Sequence, residues 1–574
     1  MIRTFLQHDV RWQQSLGGRW DFVPGCDRKG KAKLPTAYTR TIRVPSAWEF
    51  LPGLENYSGK AWFRTEIPAV VGAAVRLVFG GVSHTGTVYI DGRKVGQHYD
   101  AFTPWDVVIP DLSAGMHELI IEVDNTFGDH SALHIENDYY TYGGQTRPVE
   151  QQLVPSVYID RVFATSRRER GKWTLDVRVT LKNWSKVAEK RHVMCMLGAH
   201  EIDLGAVTMK PGQERILKAS LQGLTVQPWS HEAPHLYELE TLLFADDEIV
   251  DDLIERVGFR EIRIKGKKML LNGKPFKLHG YNRHEDHPHY GNAIPVEAMA
   301  IDLELMRDQG CNAVRTCHYP NDMRFLDLCD ELGFYVWEES HARTVKFSHP
   351  AFDQQITDST REMLDWHYNH PSIVIWGCLN ECDSVSKEGK AVHRRILKML
   401  RDGDGSRPVT FASNRGTNDI CLDLVDVVSW NMYSAWYGGG PDNVEPELKR
   451  MLKWLHSNAS GAKGKPVIMS EFGAGGIYGT RQRQASKWSE EYQAACLDES
   501  LRVYLNHPDL SGAFIWQFCD CRITERFWAR RPRTMNNKGV VDEYRRPKLA
   551  YGVVKQRMLE AAKVKQKAES RKQK

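Results

Sequence analysis

Short alternating runs of apolar and polar residues dominate the first part of the chain. Segments such as RWDFV, AWFRTEI, VRLVFGG and HELIIEVDN are separated by turn-forming residues, and helical periodicity is almost absent. In TVYIDGRKVG the pair Asp91-Gly92 lies between two β-prone runs, which is a strong signal for a β-hairpin. Residues 1–160 are therefore predicted to form a β-sandwich or jelly roll.

The strand pattern continues through residues 161–262. In WTLDVRVTLKN the apolar residues Leu175, Val177, Val179 and Leu181 fall on one face with polar residues between them, as in a half-buried strand. A module of about 100 residues built from such strands is typical of the immunoglobulin-like fold. We therefore predict a second β-sandwich in this part of the chain.

After Gly266 the spacing of apolar residues changes. Apolar runs now alternate with amphipathic helical stretches such as PVEAMAIDLELMRDQG and NDMRFLDLCDELG. The apolar runs are FKLHGYNRHED, AVRTCHYP, GFYVWEES, SIVIWGCLNE, PVTFASN, VVSWNMY, PVIMSEFG and GAFIWQF. Eight strands alternating with helices predict a (β/α)8 barrel for residues 263–574. The final stretch, KVKQKAESRKQK, is basic and has no apolar period, so we expect a frayed, solvated tail there.

Composition narrows the class of protein. The 574 residues are 41% hydrophobic and 26% charged, the mix of a globular protein, and their number predicts about three domains. A net charge of +4 gives no argument for a nucleic-acid partner. The eleven cysteines have no regular spacing, the first residues hold no apolar run suited to a signal peptide, and no run approaches the ~20 residues of a membrane span. We expect a cytoplasmic protein without a membrane partner.

Polar residues follow the predicted barrel strands at the ends where such barrels carry their catalytic groups. They are Asn282 to Asp286 after the first strand, Arg315 and His318 after the second, Glu338 and Glu339 after the third, Asn380 and Glu381 after the fourth, Asn431 and Tyr433 after the sixth, Glu471 after the seventh, and Trp516 and Gln517 after the eighth. Ordinary strand-to-loop transitions explain one or two such ends, but not the whole set. The pattern therefore predicts a functional site at this end of the barrel.

Two carboxylates stand out in this set. Glu381 follows SIVIWGCLN and Glu471 follows PVIMS, so each ends a buried strand, where an unpaired charge is costly. Their separation of 90 residues corresponds to three βα units and places them on strands four and seven. Glycoside hydrolysis needs two carboxyl groups beside the scissile bond, about 5–5.5 Å apart in an enzyme that retains the anomeric configuration. The structural alternative is that both are ion-pair partners in the barrel mouth.

Longer motifs resemble family 2 of the glycoside hydrolases. WGCLNE, ending at Glu381, and SEFG, containing Glu471, resemble that family's acid/base and nucleophile motifs. YNRHEDHP, RTCHYPNDMRFLDLCDELGFYVWEE and WSHEAPHLYELE resemble further segments of the family. The family joins a sugar-binding jelly roll, an immunoglobulin-like sandwich and a catalytic (β/α)8 barrel in this order. The resemblance implies a general acid/base at Glu381 and a nucleophile at Glu471.

The resemblance extends to substrate binding. Asn536 and Lys538 match the Asn-x-Lys motif with which glucuronide-cleaving members of the family hold the C6 carboxylate. A lysine ammonium can pair with a carboxylate, and an asparagine amide adds a neutral donor. By the same resemblance the other substrate-binding residues are Asp138, His318, Asn380, Tyr433, Tyr437, Trp516 and Arg533, with Arg531 as the alternative to Arg533. Asn380 is expected to bond the sugar 2-hydroxyl, and Trp516 to form a platform for the ring.

The function that the resemblance implies is a retaining exo-β-glycosidase that hydrolyses β-D-glucuronides through a covalent glycosyl-enzyme, without a cofactor or metal. The expected partner is a small-molecule or oligosaccharide β-uronide, and we expect a homo-oligomer, either a dimer or a tetramer. A β-galacturonidase, or an enzyme that cleaves both uronides, differs only in the C4 contact and stays open. A neutral-sugar β-galactosidase is less favoured because Lys538 would lack an anionic partner. Both glutamates argue against an inactive carbohydrate-binding protein.

Two segments depart from simple expectations. HARTVKFSHPAF, after the third strand, is only about a dozen residues long, whereas some gut bacterial members of the family carry a long loop there. The short loop leaves the leaving-group side more open, and its Arg343 has no partner that the sequence identifies. The segment HEDHPHY offers His284, His287 and His289 as an alternative metal site, but its spacing is not His-Glu-x-x-His.

Overall fold

The first part of the chain folds into two large antiparallel β-sheets that share one core, with a small two-stranded sheet beside them. This computed structural model describes residues 1–25, 34–525 and 531–572, with side chains to residue 563. The strands of this part are Gln13–Ser15, Gly18–Pro24, Arg40–Val44, Lys60–Ala69, Ala74–Phe79, Val82–Ser83, Thr85–Ile90, Arg93–Tyr99, Trp105–Ile109, Gly115–Asp124, Gly144–Gln145 and Val149–Val154, with a 3-10 turn at Trp48–Phe50. They form a six-stranded, a four-stranded and a two-stranded sheet. The predicted hairpin is confirmed, since Asp91 and Gly92 take φ values of 47° and 79° between paired strands.

A second sandwich follows. Its strands are Val157–Glu169, Lys172–Asn183, Glu189–Leu197, His200–Met209, Glu214–Leu224, Tyr237–Ala245 and Glu248–Val257, arranged in a three-stranded and a four-stranded sheet. The four apolar residues on one face of the strand Lys172–Asn183 are buried in the core between these sheets. The immunoglobulin-like sandwich predicted from their alternation is therefore confirmed.

The remainder of the chain forms the predicted (β/α)8 barrel, preceded by a small sheet of strands Ile262–Lys265, Lys268–Leu271 and Lys274–Pro275. The parallel barrel strands are Leu278–Asn282, Ala313–Thr316, Tyr335–Glu339, Ile373–Gly377, Val409–Thr410 with Ala412–Ser413, Val428–Asn431, Val467–Phe472 and Leu510–Ile515. The α-helices are Val296–Asp308, Met323–Leu332, Phe352–His367, Lys387–Gly403, Val444–Leu455, Glu490–Tyr504 and Leu549–Lys572. Two 3-10 turns, Gly416–Asn418 and Leu422–Leu424, occupy the connection between the fifth and sixth strands.

Smaller elements complete this part. They are the 3-10 turns Pro441–Asn443, Asn458–Ser460 and Pro532–Thr534 and the paired strands Cys521–Arg522 and Met535–Asn536. Close packing fixes the strands: a Cβ on Gly280 of the first strand would lie 1.7 Å from the carbonyl oxygen of Ala313 in the second. In the described part of the chain no helix is both long and apolar enough to cross a bilayer.

The basic C-terminal tail differs from the expectation. It is helical, because the last helix runs from Leu549 to Lys572. Ala550, Val554, Met558 and Ala561 are buried at helical spacing and hold the start of this helix against the barrel. The tail continues it because lysine, glutamine, alanine and glutamate have high helix propensities, which do not require an apolar stripe. The expectation of a frayed tail was therefore wrong, because a segment without apolar periodicity can still be helical.

The first sandwich is joined to the barrel end that carries the polar residues. Residues 125–143, which form no strand or helix, lead from the strand Gly115–Asp124 to this end. Phe102 stacks on Tyr319 with 3.7 Å between ring centroids, and the Tyr139 hydroxyl lies 3.3 Å from His341 Nε2. The Phe102 contact holds the first sandwich against the loop after the second barrel strand. The Tyr139 contact holds the segment against the loop after the third strand and positions the neighbouring Asp138 beside the barrel mouth.

Candidate active site

The two candidate glutamates are positioned by the ends of barrel strands four and seven. Glu471 is the penultimate residue of the strand Val467–Phe472, and Glu381 lies four residues after the strand Ile373–Gly377. Glu381 has a φ of 52°, in the left-handed region, which costs a non-glycine residue about 1–3 kcal/mol. Its backbone N–H donates to the carbonyl of Ala412 at 2.9 Å, so the neighbouring fifth strand holds it in this conformation.

Glu471 is buried and held by two donors. The Tyr433 hydroxyl donates to its Oε2 at 2.7 Å, and Arg315 Nη1 donates to its Oε1 at 2.9 Å. Burial raises the pKa of Glu471 to about 7, and the nearby charge of Glu381 acts in the same direction. Arg315 and Tyr433 oppose this shift because they stabilise the carboxylate. The two glutamates are therefore close enough for the charge of one to influence the pKa of Glu471.

Arg315 connects Glu471 to the polar groups around it. Its guanidinium donates to Asn380 Oδ1 at 2.8 Å and forms a bidentate pair with Glu339, at 2.9 and 3.1 Å. Glu339 also lies 2.9 Å from Nδ1 of His318. The fully buried Arg315 has a pKa above its usual value: burial lowers it, but Glu339 and Glu471 more than offset that effect. Asn380 Nδ2 and His318 Nε2 are buried without a hydrogen-bond partner among the described residues, so each can form a hydrogen bond with a ligand.

Glu381 is held differently from Glu471. Asn431 Nδ2 donates to its Oε1 at 2.9 Å, and Arg343 Nη2 lies 3.9 Å from its Oε2. Asn431 is oriented in turn by the Ser470 hydroxyl, which donates to its Oδ1 at 2.8 Å. The Glu381 side chain lines an open cavity, so a group bound there can reach its oxygens. It therefore has the access that a proton donor needs.

Lys538 is the most unusual cation of the site. It is 1% exposed, its Nζ lies 3.3 Å from the Tyr437 hydroxyl, and it forms no ion pair with any described residue. Burial lowers its pKa well below the usual value, and the neighbouring charge of Arg531 lowers it further. An anionic ligand at this point would restore the ammonium form, which makes Lys538 a suitable partner for a carboxylate.

Asp138 enters the site from the first sandwich. Arg343 Nη2 lies 3.0 Å from its Oδ1, Arg531 Nη2 lies 3.6 Å from its Oδ2, and Asn536 Nδ2 donates to its Oδ2 at 3.4 Å. Burial alone would raise the pKa of Asp138, but Arg343 and Arg531 hold it below the usual range. Asp138 is thus an ionised group that links the first sandwich to the third-strand loop and to the segment of Asn536 and Lys538.

The structure places the two candidate arginines in different surroundings, and its contacts favour Arg531 over Arg533. Arg531 lines the cavity and contacts Asp138, whereas Arg533 pairs with Glu543. The physical reason is the backbone: Arg531 is extended, with a φ of −81° and a ψ of 129°, whereas Arg533 has a φ of 63°, so the two side chains leave the turn in different directions. Spacing alone could not separate two arginines only two positions apart.

The predicted residues converge on one cavity of about 630 Å³. Those that line it are Asp138, Glu381, Tyr433, Tyr437, Trp516 and Lys538, together with Arg531 and Arg343. Glu471, His318, Asn380 and Asn536 are buried around its base through the contacts described above. Trp516 stacks on His318 with 5.1 Å between ring centroids.

The sequence did not predict the partners of Arg343, because they lie in other segments. It also suggested no role for Asn431, although that residue ends the sixth strand.

The alternative metal site is not assembled by its three histidines. His284 lies with Cys317 and His318, and their ligand atoms are within 4.8 Å of one another. His287 and His289 pack on each other instead, with 5.6 Å between ring centroids. Burial lowers the pKa of His284 to about 3. Within the described residues, His284, His287 and His289 therefore do not form a common ligand set.

Comparison with known proteins shows the same architecture elsewhere. Residues 262–563 match the model described as the TIM barrel domain of glycosyl hydrolases family 2, and residues 157–260 match a further model of that family. A β-glucuronidase of Streptococcus agalactiae is 26% identical, over 95% of this chain and 96% of its own.

Two solved structures extend the comparison. A β-galacturonidase from Eisenbergiella tayi, bound to galacturonate, is 42% identical with a TM-score of 0.91, covering 98% of this chain and 99% of that one. A β-glucuronidase of Bacteroides uniformis, covalently bound to cyclophellitol-6-carboxylate aziridine, is 27% identical with a TM-score of 0.84, covering 95% and 69%. Similarity of this extent includes all three parts of the fold.

Proposed function

Because this chain belongs to family 2 of the glycosyl hydrolases, we propose that it is a retaining exo-β-uronidase, with Glu471 as nucleophile and Glu381 as general acid/base. The observation that carries the proposal is Lys538, a buried amine without an anionic partner among the described residues, in the cavity of the two glutamates. A uronic acid supplies that anion at C6, whereas a neutral sugar does not. Asn536, beside Lys538 in the chain, adds an amide donor.

The first step forms a covalent intermediate. Glu471 attacks the anomeric carbon as the bond from that carbon to the glycosidic oxygen breaks, and Glu381 gives its proton to the leaving oxygen. Tyr433 and Arg315 orient the attacking carboxylate through the hydrogen bonds described above. Asn380, whose Oδ1 is held by Arg315, directs its unpartnered amide nitrogen to the sugar 2-hydroxyl, a contact that strengthens as positive charge develops on the ring.

The second step reverses the roles. Glu381 has given its proton to the leaving oxygen, so it is left as a carboxylate that can take a proton from water. The water attacks the anomeric carbon, the bond to Glu471 breaks, and the released sugar has the configuration of the substrate. The cycle consumes the substrate and one water molecule, and it returns both glutamates to their starting forms.

The sugar ring is the finer part of the proposal. The sequence predicts a glucuronide, and the β-glucuronidase of Streptococcus agalactiae supports that choice. β-Galacturonides are the second candidate. They are supported by the Eisenbergiella tayi β-galacturonidase, which is 42% identical to this chain, whereas the Streptococcus agalactiae enzyme is 26% identical. Chromogenic β-glucuronide, β-galacturonide, β-glucoside and β-galactoside distinguish these possibilities. Both uronides should be cleaved faster than their neutral counterparts, and a neutral sugar cleaved best would overturn the proposal.

The activity should depend on pH through Glu471. Because the pKa of Glu471 is raised to about 7 and only the carboxylate attacks, kcat/KM should fall about tenfold per pH unit as the pH drops below about 7. In Tyr433→Phe, loss of the donated hydrogen bond raises this pKa further, so the acid limb should move to higher pH. Tyr492→Phe, whose hydroxyl bonds the Ala435 carbonyl at 2.7 Å, is the control. A profile that Tyr433→Phe leaves unshifted would refute this role of Tyr433.

Chelation should leave the activity intact. Two carboxylates suffice for the chemistry, and His284, His287 and His289 do not converge. The measurement is kcat/KM after prolonged dialysis against EDTA, with untreated enzyme as the reference. A large loss that one divalent ion reverses would revive the metal alternative and contradict a purely carboxylate mechanism.

A further inference from the structure

The cavity is larger than the part that holds the uronic acid. Cavities of about 300–1,000 Å³ accommodate drug-sized ligands, so 630 Å³ leaves space beyond a single sugar ring. Its remaining lining includes a group that we call the outer wall, formed by Ser413, Asn414, Gly416, Glu447, Arg450 and Met451. These residues come from the end of the fifth strand, the 3-10 turn after it, and the helix Val444–Leu455.

The fifth-strand side of the outer wall lies next to Glu381. The N–H of Glu381 donates to the carbonyl of Ala412, directly before Ser413, and Arg415 Nη2 donates to the carbonyl of Glu381 at 3.1 Å. A general acid lies beside the glycosidic oxygen, so whatever is bonded to that oxygen lies on the acid's side of the cavity. The uronic acid is held on the other side, at Glu471 and Lys538. The outer wall is thus on the side of the leaving group.

The outer wall offers hydrogen-bonding groups that protein contacts leave available. The Arg450 side chain is 60% exposed, and among the described residues it has a single weak ion pair, at 3.5 Å from Glu447. The side chain of Asn414 is exposed and forms no hydrogen bond with any described residue. Arginine and asparagine present several donors in fixed planes, which match neighbouring hydroxyl groups on a sugar.

The aromatic side chains of the described part of the cavity cluster on the side of Glu471 and Lys538. Tyr433 and Trp516 belong to the pocket around Glu471. Tyr437 is exposed, but its ring packs on Tyr433 with 5.3 Å between centroids and its hydroxyl lies at Lys538. Trp430 also lines the cavity but is only 1% exposed. The chemistry of the outer wall therefore suits a hydroxylated leaving group better than a flat apolar one.

We propose that the outer wall is a binding site for a sugar, so that the enzyme removes a terminal uronic acid from an oligosaccharide. The inference rests on the proposed uronidase function and specifies its substrate class. Arg450 and Asn414 donate to hydroxyls of the sugar that leaves, which keeps its glycosidic oxygen beside Glu381. Binding energy from this sugar then assists the first step, because that step is the one in which the leaving group is still attached.

The test compares two substrates with the same uronic acid, one β-linked to a neutral hexose and one to p-nitrophenol. Arg450→Ala and Asn414→Ala are measured with Lys449→Ala, an exposed lysine paired with Glu445 on the same helix, as the matched control. We expect the ratio of kcat/KM for the disaccharide to that for the aryl substrate to fall about tenfold or more in Arg450→Ala and about two- to tenfold in Asn414→Ala. Lys449→Ala should leave the ratio unchanged.

The outcomes separate this inference from the function it rests on. If the wild type cleaves neither substrate, the uronidase proposal itself fails. If it cleaves the aryl uronide but not the disaccharide, or if the ratio is unchanged in both variants, the outer wall does not bind a sugar. Equal losses on the two substrates would likewise overturn the inference, because the residues would then support the site as a whole.

Discussion

Glu471→Ala is expected to lose nearly all turnover while remaining folded, and Glu381→Ala should do the same. The first variant removes the group that attacks, and the second removes the proton donor to the leaving oxygen. Azide should partly restore turnover in Glu471→Ala, since it fits the space left by the carboxylate and attacks the anomeric carbon directly. A single displacement of this kind inverts the configuration, so the product is an α-glycosyl azide.

The measurements are kcat for both variants, the anomeric configuration of the azide product, and thermal unfolding. Glu491→Ala is the control, because that carboxylate lies outside the cavity and pairs with Arg481 at 2.7 Å. If either active-site variant kept more than about a tenth of the wild-type kcat, it would have lost less than about 1.4 kcal/mol of barrier lowering. Such a small loss is incompatible with a direct role in bond making or breaking.

Lys538→Ala should reduce kcat/KM on the uronide by roughly 30- to 1,000-fold. At ~4 Å and an effective dielectric near 20, a lysine–carboxylate pair contributes roughly 4 kcal/mol before desolvation is subtracted. A hydrogen bond to a charged group nets about 1.5–3 kcal/mol, so a range of about 2–4 kcal/mol corresponds to that loss. Asn536→Ala should act in the same direction more weakly, because a neutral amide donor contributes less.

The decisive comparison is kcat/KM on the uronide and on the matching neutral glycoside, which lacks the carboxylate. Only the uronide should suffer the large loss in Lys538→Ala. Lys487→Ala is the matched control: Lys487 Nζ lies 5.5 Å from the Trp436 ring, as Lys538 Nζ does, but Lys487 is exposed and does not line the cavity. Equal losses on both sugars would show that Lys538 is structural and would remove the main support for a uronidase.

The sequence predicts the architecture well because each fold class has its own local pattern. The alternation around Leu175 and Val177 is a period-two signal, and both residues are buried as it requires. In the barrel, parallel strands bring their carboxyl ends together, so Glu381 and Glu471 are placed near each other although 90 residues separate them. Residues that are far apart in the sequence can therefore be predicted to lie close together once the barrel topology is known.

Other parts of the site could not be predicted, because they depend on contacts between distant segments. Arg343 is held by Asp138, which belongs to the first sandwich, and no local pattern connects the two. Arg531 and Arg533 differ only in the direction that a turn gives their side chains. The outer wall was not predicted, although Asn414 ends the apolar run PVTFASN, because a single asparagine after a strand does not by itself indicate a function, and Arg450 lies inside a helix, away from any strand end. Long-range packing and loop conformation, rather than periodicity, determine these features.

The position of Asp138 makes the cavity depend on both the first sandwich and the barrel. A recombination event that joined this barrel to a first sandwich without a carboxylate at the place of Asp138 would leave Arg343, close to Glu381, without the group that neutralises it. Such a chimera would keep every strand of the barrel and yet carry an unbalanced cation beside its proton donor. The segment around Asp138 and the loop around Arg343 therefore have to be inherited together, although about 200 residues and a whole sandwich lie between them.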